Sequence, residues 1–317
     1  MNVLSTTLDS TLETRHTSFD GGDLAKEVSP ATVIRRNEPM AKRTTLRVGG
    51  PADLYVEPTD EQDLAAVLTF CARQDLPFFV LGRGSNLLVK DGGFRGVVIC
   101  LSQPSFTKIE IHGQLLNCAA GARLKQVAVE AKRHSLAGLE FLEGIPGTIG
   151  GGLRMNAGAM GGAMFDLVQS VRLMDSSGTV KEWPATELVI HYRSCPTLKS
   201  HIVLSAVLVG QPGLRQAIEQ RMSQFSRKRW ACQPAAPSAG CIFKNPITIP
   251  AGKLLDDLGL KGMRVGGAFV SAEHGNFIVT EASATAQDVL ALIDILKRKT
   301  RAERGLELET EVQIIGE

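Results

Sequence analysis

Phe78-Phe79-Val80-Leu81-Gly82-Arg83-Gly84-Ser85-Asn86-Leu87-Leu88-Val89 decides the fold class of this chain. Its four leading apolar residues read as a buried strand that delivers the chain into a glycine loop. Leu87-Leu88-Val89 and Gly96-Val97-Val98-Ile99 read as further strands. Upstream, Leu54-Tyr55-Val56 is another short strand. Thr59 is then placed to cap a helix with Gln62 as its reciprocal partner, and Leu64, Val67, Leu68 and Cys71 form the buried stripe that ends before Pro77. The unit is strand, helix, strand, with a glycine loop at its mouth. The loop lacks the third glycine and the following helix of the dinucleotide fingerprint. Its successive amides, with the Ser85 hydroxyl and the Asn86 amide, can still face an anion. A plain hairpin turn fits the same residues.

Two more glycine loops follow, Gly144-Ile145-Pro146-Gly147-Thr148-Ile149-Gly150-Gly151-Gly152 and Asn156-Ala157-Gly158-Ala159. Each alone is a turn. Together they imply a backbone that wraps an extended phosphate-bearing molecule, and FAD has the right length and charge. Between residues 106 and 209 the pattern is strand-rich, with one helix whose stripe is Leu124, Val127, Ala128 and Ala131. Past Pro212-Gly213 longer helices take over. Leu214, Ile218, Met222 and Phe225 share one face, and Val289, Leu290, Ile293 and Leu296 share another. The run 311–315 closes as a strand. The expected organisation is a flexible arm over 1–30, a region over 31–212 with subdomains at about 31–103 and 104–212, and a third unit over 213–317.

Lys plus Arg is 35 and Asp plus Glu is 33, and no basic stripe interleaves with aromatics, so nucleic acid is not an expected partner. No apolar run approaches the ~20 residues that span a bilayer. The cysteines at 71, 100, 118, 195, 232 and 241 show neither CxxC pairs nor a disulfide framework, which fits a reducing cytoplasm. Neither His191 nor His274 has metal-ligand spacing, and no metal is assigned.

Three separated positions carry chemistry if they meet: Tyr192-Arg193-Ser194, Ser238-Ala239-Gly240-Cys241-Ile242-Phe243-Lys244-Asn245-Pro246, and Glu311. Singly, each has a plainer reading: a surface ion-pair arginine, a small buried cysteine and a solvated strand glutamate. Together they supply a guanidinium for a carboxylate, a proton donor and a carboxyl group that steadies developing charge.

These segments, with 45–52, 81–89, 138–148, 155–159, 270–279 and 308–316, resemble the UDP-N-acetylenolpyruvoylglucosamine reductase (MurB) family in the family's order. The resemblance spans nearly everything after residue 35. It implies an α+β protein: a two-subdomain FAD-binding region of the vanillyl-alcohol-oxidase (PCMH) type, then a substrate-binding α+β domain. Ser85 and Asn86 stand where flavin-tethering relatives offer a histidine, which implies noncovalent FAD. No long tyrosine-bearing insertion follows Ala159, as in the type II branch. By the same resemblance NADPH reduces the flavin, and the enolpyruvyl sugar nucleotide then receives hydride from it. Arg193 and Glu311 match the residues that bind and polarise the enolpyruvyl carboxylate, and position 241 matches the proton donor. Arg47, Gly82, Arg83, Gly84, Ser85, Asn86, Leu87, Gly121, Gly144, Ile145, Pro146, Gly147, Thr148, Gly151, Asn156, Ala157 and Gly158 are the expected cofactor residues. Tyr192, Arg229, Lys244 and Asn245 are the expected substrate contacts. A cytoplasmic monomer is expected.

The departure is Cys241, since the family pattern has Ser there. A thiol with an ordinary pKa of roughly 8.5 gives up its proton more easily than an alcohol. Nearby Lys244 or a helix N-terminus would favour thiolate, so turnover is expected to decline as pH rises through that pKa. Two alternatives stand beside this reading: another noncovalent FAD oxidoreductase of the same fold, and a sugar-nucleotide-binding homologue without catalysis.

Overall fold

The computed structural model describes residues 21–317. It begins with Val33–Pro39 (β1), Pro51–Glu57 (β2), Glu61–Arg73 (α1), Phe78–Leu81 (β3), Leu87–Val89 (β4) and Phe94–Cys100 (β5). A four-stranded sheet runs β1-β2-β5-β3, parallel across β5 and antiparallel at the β1 edge. The stripe Leu64, Val67, Leu68 and Cys71 of α1 is buried as its spacing requires. The cap is Asp60 rather than Thr59: the helix starts at Glu61, so the acceptor one residue before it reaches the Asp63 amide at 3.0 Å. Asp63 itself is buried and gathers Ser29 N at 2.9 Å, Thr59 N at 3.3 Å and the Thr32 hydroxyl. Burial alone would raise its pKa, but those hydrogen bonds hold it below the ordinary carboxylate value.

Asp63 thereby anchors residues expected to be part of a loose arm. Leu24 is fully buried in the first core, Ser29 is bonded to α1, and Glu27 pairs with Arg73, so 24–30 are docked. Residues 1–20 of that arm lie outside the described residues.

Next come Ile109–His112 (β6), Leu115–Ala119 (β7), Leu124–Arg133 (α2), Ile149–Arg154 (α3), Val168–Met174 (β8), Val180–Pro184 (β9) and Ile202–Val209 (β10). The strands make an antiparallel sheet in the order β9-β8-β10-β7-β6. Leu124, Val127, Ala128 and Ala131 bury one face of α2. Leu54 and Val56 of the first sheet share a single apolar core with Leu116 and Val171 of the second. Arg215–Cys232 (α4) adds Ile218 and Met222 to that core, so the first core continues past residue 212. Leu214 precedes the helix and is 80% exposed, off the face that it was expected to share.

The last unit holds Ser238–Cys241 (β11), Ala251–Asp257 (α5), Arg264–Val265 (β12), Ala268–Val270 (β13), Phe277–Thr280 (β14), Ala286–Arg304 (α6) and Gln313–Ile315 (β15). Its antiparallel sheet runs β11-β14-β13-β12 under α6, which contributes Val289, Ile293 and Leu296 to a second core. Thr285 and Asp288 form a capping box at the start of α6, and Gly305 ends it at φ 65°.

Three devices fasten this unit to the first. Leu46, Val48 and Leu88 lie in its core. β15 pairs in parallel with β4, Gln313 opposite Leu87 and Ile315 opposite Val89. The Asp91 carboxylate accepts from Ala286 N at 2.9 Å and Gln287 N at 2.8 Å, where the positive end of the α6 dipole favours an anion.

Candidate active site

The glycine loop that opens the reading is a junction between all three parts. Gly84 has φ 60°, and a Cβ there would stand 2.3 Å from Arg43 O, so both conformation and space require glycine. Its carbonyl accepts from Thr45 N at 3.1 Å, while the Thr45 hydroxyl donates to Ser238 O at 2.6 Å and so ties the loop to β11. Asn86 binds the other side: its amide donates to Glu311 O and its carbonyl accepts from Gln313 N, both at 3.1 Å.

Cys241 ends β11. Ser238 opposes Val279 and Cys241 opposes Phe277, so β11 carries one residue more than β14 between those pairs, and Gly240 at φ 74° absorbs the bulge. Glu311 N then donates to Ile242 O at 2.7 Å, which sets Glu311 beside the cysteine. Arg193 comes from a tight hairpin closed by His191 N to Ser194 O at 2.8 Å, with Arg193 itself at φ 56°. Asn156 holds that hairpin by donating to His191 O at 3.2 Å. The Arg193 Nε lies 3.0 Å from Glu311 Oε1, though its N–H is not directed at that oxygen and has no hydrogen-bond partner among the described residues. Gly158 leaves room for the guanidinium, since a Cβ there would sit 3.2 Å from Nη1.

The three separated groups therefore converge, and their burial sets their protonation. Burial raises the Glu311 pKa above the ordinary carboxylate value, against the opposing charges of Arg193 and Lys244. The Cys241 thiol is pushed up to about 12, first by burial and then by the charge of Glu311, with Arg193 and the Asn276 side chain opposing. Burial and the Glu311 charge thus favour the neutral thiol, which is the form that a proton donor requires. Lys244 does not activate the sulfur; it pairs with Glu309.

Of the expected substrate contacts, Tyr192 is 54% exposed and its ring lies 5.0 Å from the Arg193 guanidinium carbon. Arg229 rests against Gly144. Asn245 accepts from Ala251 N at 3.0 Å, which satisfies the start of α5 and leaves its amide N–H groups to other partners.

A cavity of about 560 Å³ lies between the two subdomains, lined by Gly82, Arg83, Gly121, Thr148 and Gly151 of the expected cofactor residues. Ser85 donates to Pro146 O, so the 82–86 and 144–148 loops face each other. Gly84, Ser85, Asn86, Gly144, Ile145, Pro146, Gly147, Asn156, Ala157 and Gly158 stand outside the cavity lining, and Leu87 is buried in the core. Arg47 is exposed at φ 58° and also lies off the lining, where Lys42, Arg43 and Arg123 appear instead. Thr44 lines the cavity too, and its buried hydroxyl has no hydrogen-bond partner among the described residues. Six cationic side chains (Lys42, Arg43, Arg83, Arg123, Arg154 and Lys199), a glycine-lined wall and an orphaned donor fit a pyrophosphate-bearing dinucleotide. Lys42, Arg43 and Thr44 adjoin the recognised 45–52 segment, yet nothing in their own spacing marked them. Among the described residues no group of three His, Cys, Asp or Glu is placed to hold a metal ion, and no helix is long and apolar enough to cross a membrane.

Residues 52–183 match a family model described as an FAD binding domain, and residues 233–315 match the C-terminal domain of UDP-N-acetylenolpyruvoylglucosamine reductase. The reductase of Syntrophomonas wolfei is 40% identical over 91% of this chain and 97% of its own length. That of Clostridioides difficile is 42% identical over 90% of this chain and 94% of its own. The crystal structure of the Thermus caldophilus reductase (MurB) superposes with a TM-score of 0.78 at 36% identity, covering 90% of this chain and 99% of that one. With an FAD-binding domain joined to the reductase's own C-terminal domain, the chain belongs to the UDP-N-acetylenolpyruvoylglucosamine reductase family.

Proposed function

We propose that this chain is the NADPH-dependent flavoenzyme that reduces the enolpyruvyl group of UDP-N-acetylenolpyruvoylglucosamine, giving UDP-N-acetylmuramate for peptidoglycan synthesis. The observation that carries the residue roles is the meeting of Arg193 Nε and Glu311 Oε1 at 3.0 Å beside a neutral Cys241 thiol. Gly82, Arg83, Gly121, Thr148 and Gly151 with Lys42, Arg43, Thr44 and Arg123 would hold FAD, which when bound relays hydride from NADPH to the substrate. Arg193 binds the enolpyruvyl carboxylate, because its Nε has no hydrogen-bond partner among the described residues and needs an acceptor. When hydride adds to the methylene carbon, electron density moves to the adjacent carbon and into that carboxylate. The guanidinium is already in place to stabilise it. The Cys241 S–H gives its proton to that carbon, and a proton from solvent restores the thiol afterwards. Glu311 steadies Arg193 and, by its charge, keeps the thiol protonated until the carbon demands the proton.

Tyr192, Arg229, Lys244 and Asn245 remain the proposed contacts to the sugar nucleotide. A monomer in the cytoplasm belongs to the same proposal. The test is anaerobic: NADPH bleaches the bound flavin, and the enolpyruvyl sugar nucleotide restores the yellow colour. Reoxidation is expected to slow by about 10²–10⁴-fold in Cys241→Ala and to persist in Cys241→Ser. A flavin that NADPH reduces but this substrate leaves bleached would refute the activity. Wild-type reoxidation in Cys241→Ala would refute the donor.

A further inference from the structure

A proton donor must be aimed as well as protonated, and β11 alone does not aim it. The bulge at Gly240 turns Cys241 out of the regular pleat, and a strand so interrupted needs a second fixture on its far side. Asn276 supplies one. It is 2% exposed and grips the two residues after the cysteine: Ile242 N donates to Asn276 O at 2.9 Å, Phe243 N to Asn276 Oδ1 at 2.9 Å, and Asn276 Nδ2 to Phe243 O at 2.8 Å. The side-chain amide thus imitates a neighbouring strand, with one donor and one acceptor on one residue. Asn276 is held in turn by its own N–H, which donates to His274 Nδ1 at 3.1 Å. Across the bulge, Thr45 fixes Ser238.

We infer that Asn276 is a positioning residue for the reduction, setting the direction of the Cys241 S–H through its two-point grip on Phe243. The inference rests on Cys241 being the proton donor. The backbone carbonyl of Asn276 also holds Ile242 N, and the Ile242 carbonyl accepts from Glu311 N, so the same residue is tied to both the donor's strand and the carboxylate beside it. The Asn276 side chain is also the hydrogen-bonding neighbour that opposes the rise in the thiol's pKa.

The experiment is a double-mutant cycle in the holoenzyme, with flavin reduction by NADPH and reoxidation by the enolpyruvyl sugar nucleotide followed separately by stopped flow. Asn276→Ala is expected to slow reoxidation by about 10²-fold, the cost of misplacing a reacting group by about 1 Å, and to leave reduction by NADPH unchanged. In a Cys241→Ala background the same change is expected to cost less than about twofold, because a residue that acts through the thiol has nothing left to position. Equal losses in the two backgrounds, or an equal loss in both half-reactions, would overturn the inference while leaving Cys241 as donor. No loss in Cys241→Ala alone would instead remove the donor assignment on which it stands. Asn276→Ser is measured in the same cycle, so that the comparison survives poor folding of the alanine variant.

Discussion

Raising the pH tests the environment of Cys241 directly. An ordinary thiol titrates at roughly 8.5 and this one is pushed up to about 12, so at pH 8 the thiolate-to-thiol ratio falls from about 1 in 3 to about 1 in 10⁴. In the proposed role the active form is the protonated one, and the raised pKa extends it upward; activity owed to this group is present below the folded value and is lost only on approach to 12. The rate of flavin reoxidation by substrate is therefore expected to show no decline from thiol ionisation between pH 6 and pH 10. Wild type and Cys241→Ser are expected to give parallel profiles there, since an alcohol does not titrate in that range. A second readout is alkylation by iodoacetamide, which consumes thiolate. In a Cys232→Ser background, which removes the exposed thiol, labelling of Cys241 measured by mass spectrometry is expected to rise about tenfold per pH step without levelling by pH 10. A plateau near pH 8 to 9, with wild-type reoxidation falling at the same midpoint and Cys241→Ser unaffected, would refute the reasoning from burial and Glu311.

Glu311→Gln removes the charge that helps to hold the thiol proton, so the labelling profile of Cys241 is expected to move to lower pH, while reoxidation slows by about 10²–10³-fold in single-turnover traces. Gly158→Ala places a methyl group 2.7 Å from Gly162 O and 3.2 Å from Arg193 Nη1. Stopped flow is expected to show reoxidation slowed about tenfold or more, with reduction by NADPH intact. Asp91→Ala strips the α6 N-terminus of the carboxylate that accepts from Ala286 and Gln287, and urea unfolding is expected to show a loss of about 1–2 kcal/mol.

What the chain discloses before folding is its local periodicity and its order of motifs. The stripes of α1 and α2 are buried at the positions that their spacing names, because a helix face is fixed by residues three and four apart. The meeting of Arg193, Cys241 and Glu311 depends on features with no such local rule. Arg193 sits in a left-handed conformation unusual for its residue type, and Cys241 is turned by a bulge whose register is set by β14. The thiol's surroundings are hidden from the sequence for a related reason. Lys244 is three residues from the cysteine in sequence, but its ammonium is taken by Glu309, whereas Glu311, far along the chain, acts on the thiol through its charge. Thr44 and Arg43 escaped notice because a cavity between two sheets is a property of packing, not of either sheet's sequence.

The pairing of β15 with β4 has a consequence for synthesis. A chain made from its amino end exposes Leu87-Leu88-Val89 long before Gln313-Ile314-Ile315 exists, so one side of that short strand waits for the last strand in chain order. The same late segment delivers Glu311. Closing of the two-stranded β4–β15 sheet and arrival of Glu311 thus become one event, and a ribosome product that stops short of residue 311 would have the cavity's walls without the carboxylate proposed to act in the reaction.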